Sequence, residues 1–150
     1  ESARVDMSIA ALFSGFALAN AKLGAVHGFA GVLGGSLKAP HGAICARLLP
    51  DVMSVNVRAL TERDPRSETI HRYDEVAQIL TGSSAARAVE GIRWVAEVCH
   101  TLKIPSLSAY GLHREDFPVI IEKSARASSM KGNPIALTHE EMEEVLERAM

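Results

Sequence analysis

Apolar residues recur at helical spacing along nearly the whole chain, and no window alternates in the way a half-buried strand requires. Tyr73, Val76, Ala77 and Leu80 repeat at three and four residues, as do Phe117, Ile120 and Ile121, and then Met142, Val145, Leu146 and Ala149. Breaker clusters separate these stretches: Gly34-Gly35 through Pro40, Asp64-Pro65, Thr81-Gly82-Ser83-Ser84, Ile104-Pro105 and Lys131-Gly132-Asn133-Pro134. The pattern implies an all-α fold, a compact multi-helix domain spanning residues 1–150. Helices are expected at about 3–21, 24–33, 41–62, 67–80, 84–102, 115–128 and 138–149.

Local signals sharpen the ends. Thr138 followed by Glu141 is a capping box, in which hydroxyl and carboxylate each satisfy one orphan amide of the helix start. Ser67 ahead of Glu68 is placed to cap the fourth helix. Pro50 falls inside the third, where it removes an amide donor and crowds the carbonyl four residues back. The longest uncharged run, Met7 to Ala21, holds Ser8, Ser14, Gly15 and Asn20; it is too short and too polar to span a bilayer and is expected to be a buried helix.

Composition narrows the function classes. At 47% apolar and 23% charged over 150 residues, the chain has the makeup of one globular domain rather than a disordered segment. A net charge of −2 supplies no basic field for nucleic acid or an anionic membrane, so neither partner is expected. The two cysteines, Cys45 and Cys99, lack the spacing of a thiolate cluster or a disulfide framework and suit a reducing cytoplasm. Ser14 and Ser36 have no histidine and carboxylate arranged around them, which leaves a serine hydrolase without footing.

The informative stretch is Ala25 to Pro50, AVHGFAGVLGGSLKAPHGAICARLLP, in which His27 and His41 are each followed by glycine. Gly34-Gly35-Ser36 is expected to reverse the chain and turn both imidazoles toward one space. Neutral imidazole is the commonest protein ligand for a divalent transition metal. Two histidines do not close a site, and no carboxylate stands at an obvious ligand spacing from either. Spacing alone leaves open a pair of hydrogen-bonded structural histidines. Cys45 shares a helix face with His41, open to a thiolate role or to that of a small buried hydrophobe, and the second is favoured. Val26, Phe29, Val32 and Leu33 read first as core. Lys38 reads as a solvated loop lysine, and His71, His100, His113 and His139 as surface residues.

The segment Ala17 to Asn56, ALANAKLGAVHGFAGVLGGSLKAPHGAICARLLPDVMSVN, resembles the helical C-terminal half of the iron-containing (group III) alcohol dehydrogenases, a dehydroquinate synthase-like fold. The tail Ala127 to Leu146, with its Asn-Pro, Leu-Thr and acidic helix, resembles that family's closing segment. The resemblance implies that His27 and His41 are ligands of a divalent metal, Fe2+ or Zn2+. An aspartate and a further histidine from nearer the N-terminus would complete the set. It implies hydride transfer between a small alcohol, or its aldehyde or ketone, and NAD(P), with the metal acting as Lewis acid. On this reading residues 1–150 are the C-terminal part of a longer enzyme whose nucleotide-binding domain they lack. The isolated piece is expected to be inactive, and the parent to be a homo-oligomer. Gly31 stands where many relatives carry a histidine. A non-catalytic helical interaction domain, and a metal-free reductase resembling the maleylacetate reductases, remain as alternatives.

Overall fold

In the computed structural model, which describes residues 1–150, seven α-helices follow one another: α1 (Ser2–Asn20), α2 (Ala25–Ser36), α3 (His41–Arg63), α4 (Glu68–Thr81), α5 (Ala88–Thr101), α6 (Phe117–Arg126) and α7 (His139–Ala149). Short 3₁₀ turns at Leu107–Tyr110, Arg114–Asp116 and Ser128–Gly132 fill the connections, and there is no strand. The all-α expectation holds, with most helix ends within two residues of those the sequence implies.

The long helix α3 is the axis of the fold. One face packs with α2 and α7, and α6 lies against those two, around Phe29, Leu33, Ile44, Leu48, Leu107, Leu112 and Leu146, all shielded from solvent. Farther along, α3 meets the hairpin of α4 and α5. Gly91 lets those two helices approach: a β-carbon there would lie 2.8 Å from that of Ala77, well inside contact distance. Pro50 sits inside α3 as expected. Its missing amide would have bonded the carbonyl of Ala46, and the Cys99 thiol donates to that carbonyl instead, at 3.3 Å. Cys99 therefore supplies a donor inside the fold.

Capping follows the residues. Thr138 and Glu141 form the reciprocal box, with Glu141 N–H donating to Thr138 Oγ1 and Thr138 N–H to Glu141 Oε2. Ser67 Oγ accepts from the Thr69 amide, opening α4. The start of α5 differs from the sequence reading. It lies at Ala88 rather than near 84, because a carboxylate from the neighbouring helix fixes it. Asp74 Oδ1 accepts from the Ala88 amide at 2.8 Å, and Oδ2 from the Arg87 guanidinium at 2.9 Å.

Two expectations fail. The Met7 to Ala21 run is helical but not buried: α1 has no buried residue, and Met7, Leu12, Phe13, Phe16 and Leu18 are each more than half exposed. Nothing in residues 21–150 lies over it. Counted as a whole, α1 is also longer than the uncharged run suggests. Its 19 residues, at a mean hydropathy of 1.2, make it the one helix long and apolar enough to cross a membrane by length and composition. The second failure concerns the chain reversal. Gly34, Gly35 and Ser36 belong to the last turn of α2, and the chain turns over Leu37 to Pro40 instead. A glycine in a helix costs only about 1 kcal/mol, and burial of Leu33 on this turn offsets that.

Candidate metal centre

The first turn of α2 is held from a distance. Gly24 precedes it with no side chain to cap the helix, and the Ala25 amide donates to Asn133 Oδ1 at 3.1 Å. Asn133 and Asn56 pair through reciprocal amide hydrogen bonds of 2.7 and 3.1 Å, and Asn56 also donates to the Tyr73 hydroxyl. Asn56 is buried, so this network is satisfied where an orphaned amide would be costly. Gly132 lies against the backbone of Leu23, where any β-carbon would collide with the Leu23 carbonyl oxygen. The Gly-Asn-Pro segment thereby clamps the residues that lead into α2. The sequence shows those residues only as a breaker.

With Ala25, Phe29, Ala30 and Leu33 turned inward, α2 leaves His27 and Gly31 off the core. His27 is partly buried, and Gly31 is exposed with open space where a side chain would stand. After the reversal, Pro40 precedes α3 in an extended conformation, and His41 is the first helical residue, with an exposed side chain. The two imidazoles that the sequence singles out come together: their ring centroids lie 5.5 Å apart with the planes tilted by 50°.

A third donor joins them. Cys45, one turn along α3 and half-buried, places Sγ 3.4 Å from His41 Nε2 and 3.9 Å from His27 Nε2. One ligand atom from each of the three residues lies within 4.8 Å of the others. The sequence places Cys45 on the helix face of His41, one turn on, and favours for it the role of a small hydrophobe; the side chain does pack partly buried against the core. Burial, and after it the charge of His41, hold His27 below the usual histidine value of 6.5, so its ring is neutral with a free lone pair at neutral pH. Burial pushes the Cys45 thiol above its ordinary 9.0, so the free thiol stays protonated.

The donor set suits a transition metal. Two imidazoles and a sulfur favour Zn2+, Fe2+ or Co2+ over Mg2+ or Ca2+, which prefer oxygen. A tetrahedral centre with nitrogen at about 2.0–2.1 Å and sulfur at about 2.3 Å sets each nitrogen roughly 3.5 Å from the sulfur. The separations of 3.4 and 3.9 Å bracket that figure. No carboxylate belongs to the cluster. The other residues noted in the sequence lie elsewhere: Phe29 and Leu33 are core, Val26 and Val32 pack partly buried against it, and Lys38, His71, His100, His113 and His139 are exposed.

Comparison with known proteins places this arrangement in context. The model of the Fe-containing alcohol dehydrogenase family, C-terminal, matches residues 1–150. Alcohol dehydrogenase 4 of Saccharomyces cerevisiae is 32% identical over 150 residues, which are 99% of this chain and 37% of that protein. The 1,3-propanediol dehydrogenase of Citrobacter freundii is 31% identical over 98% of this chain and 37% of its own length. Among solved structures, an alcohol dehydrogenase from Oenococcus oeni superimposes with a TM-score of 0.74 at 31% identity, covering 91% of this chain and 35% of that one. The chain thus spans little more than a third of the proteins it resembles.

Proposed function

Because this chain belongs to the iron-containing alcohol dehydrogenase family and matches its C-terminal domain, we propose that the complete protein is an NAD(P)-linked alcohol dehydrogenase in which His27 and His41 ligate a divalent metal. Its reaction is hydride transfer between a small alcohol and the corresponding aldehyde or ketone. The carrying observation is the convergence of His27 and His41 across the Leu37 to Pro40 reversal. Relatives named for 1,3-propanediol and lactaldehyde support a short, hydroxyl-bearing substrate. The nicotinamide-binding domain belongs, in this proposal, to a part of the protein outside these residues, and subunits associate into a homo-oligomer. Two free thiols, Cys45 and Cys99, fit a reducing cytoplasm.

When bound, a divalent metal supplies a Lewis acid for the oxygen of the reacting alcohol or carbonyl. The chain's own contribution is to hold the two imidazoles in place. Asn133 fixes the start of α2 and hence His27, while the extended Pro40 sets His41 at the mouth of α3. The apolar body of α2 keeps bulk water from one side of His27, which lowers the local dielectric and strengthens any charge interaction there. Gly31, one turn beyond His27, leaves space for substrate or water. It carries no group able to move a proton, so a hydroxyl proton leaves by water or by another group.

Metal content and turnover of the complete protein test this. His27→Ala and His41→Ala should each deplete bound metal and lower kcat/KM by roughly 10²-fold or more, since a Lewis acid contributes several kcal/mol and about 1.4 kcal/mol is tenfold. Unchanged metal and rate in both variants would exclude the ligand role. That result is the one a metal-free reductase on the same fold would give.

A further inference from the structure

We propose that the cleft between α3 and the end of α5 is a second binding site, for a small molecule that carries an oxyanion, carboxylate or phosphate, together with a hydroxyl. The cleft holds about 400 Å3 and is lined by Arg47, Pro50 and Asp51 of α3 and, opposite them, by Cys99, His100 and Lys103. That size falls within the range of small-molecule sites. None of these residues belongs to the cluster of His27, His41 and Cys45, and the site does not depend on the dehydrogenase reading.

Packing gathers charges around the cleft and leaves them unspent. Pro50 interrupts the hydrogen-bond ladder of α3, and Cys99 fills the gap by donating to the Ala46 carbonyl, which ties α5 to α3 and engages the thiol. Arg47 Nε and Nη2 donate to the carbonyls of Ala149 and Arg148, so the guanidinium is fixed while Nη1 stays unbonded. Asp51, one turn on, is half-buried, yet it accepts no hydrogen bond and joins no ion pair. Burial pushes its carboxyl above the usual 3.8, against the charges of Arg47 and Arg148. His100 and Lys103 are exposed and also lack ion pairs. Lys103 closes α5 in the left-handed region, at φ 53°, with its amide on the His100 carbonyl and that of Ile104 on the Cys99 carbonyl. Glycine is the usual residue at that point of a helix end; lysine there brings an ammonium to the cleft.

Opposite charges on the two sides select a ligand with complementary halves. Arg47 Nη1, Lys103 and His100 offer donors to an oxyanion. Asp51 offers only acceptors and repels a second anion, so the part of the ligand against it must donate. A hydroxyl does so without bringing a positive charge up to the basic groups. A bare anion would leave the Asp51 carboxylate desolvated and without a donor, which is costly.

Calorimetric titration of the complete protein with glycerate, glycerol phosphate and propionate tests this. Glycerate and glycerol phosphate should both bind, and the tighter of the two identifies the preferred oxyanion. Propionate, which lacks the hydroxyl, should bind about tenfold more weakly than glycerate. Lys103→Gln should weaken all three by about tenfold, the loss of one charge-assisted contact. Asp51→Ala should bring glycerate and propionate to equal affinity, because the acceptor and the repulsion disappear together. Metal content and turnover should be unchanged in both variants, and glycerate binding should survive His27→Ala. Absence of binding, equal affinity for glycerate and propionate in the unmodified protein, or binding indifferent to Lys103→Gln overturns the site. Glycerate binding that is lost in His27→Ala also overturns it, by placing the ligand at the metal centre. Metal content alone reports on the histidine reading, so the two can fail separately.

Discussion

Helices α1 and α2 are both long on small and apolar residues, yet one is bare and the other clad. No residue of α1 is buried, whereas Ala25, Gly28, Phe29, Ala30 and Leu33 of α2 are. Phe13 and Phe16 meet mainly each other, with ring centroids 6.4 Å apart, while Phe29 is wholly enclosed. Apolar composition sets how much a segment gains from cover. It does not say what provides the cover. α2 has α3, α6 and the Ser128–Gly132 turn against it and Asn133 at its start. α1 has no buried neighbour, no side-chain cap and no ion pair.

The sharpest test of this contrast is a pair of matched truncations. Phe29→Ala should lower unfolding stability by about 3–5 kcal/mol in urea denaturation, as large-to-small changes in a closed core do. Phe16→Ala should alter it by no more than about 0.5 kcal/mol. Comparable losses would mean that α1 is covered in solution. A second variant addresses how α2 is anchored. Asn133→Ala leaves the Ala25 amide and the Asn56 Oδ1 without partners and should cost about 1–3 kcal/mol. A neutral result would assign the seating of α2 to apolar packing alone.

The smallest effect concerns the charges that tie α7 to α3. Hydrogen bonding to Arg58, with help from the charge of Arg148, holds the Glu144 carboxyl below the usual glutamate value of 4.5 despite opposing desolvation. A depressed carboxyl contributes stability above its unfolded value, and that contribution fades as pH falls through the folded one. Parent and Glu144→Gln should therefore differ most near neutral pH and converge below about pH 4.5. With Arg58 some 40% exposed and Glu144 some 26%, the gap should be of order 1 kcal/mol or less. A gap that persists in acid would point to packing rather than charge.

The elements most legible in the sequence are those whose signals are local. The capping box at Thr138, the serine cap at Ser67 and the three- and four-residue periodicity of α7 all act within a few residues, and all appear where expected. The α5 start was misplaced because its cap, Asp74, comes from another helix. The Asn56–Asn133–Tyr73 network went unread for the same reason, since its members are spread across α3, α4 and the segment before α7. At the metal centre, the histidines drew notice through their glycine-flanked contexts. Cys45 needed coordinates before its sulfur could be seen between them.

By itself, then, the sequence determined seven amphipathic or apolar helices, the caps at Ser67 and Thr138 and the two histidines near one reversal, because backbone propensity and side-chain periodicity operate over one or two turns. Tertiary structure alone decided that residues 21–150 leave α1 uncovered, that Leu37 to Pro40 makes the turn, and that a thiol faces both imidazoles. Each of these depends on which surfaces meet in three dimensions. Burial and ligand geometry are properties of distances between segments, and a linear pattern carries no such distances.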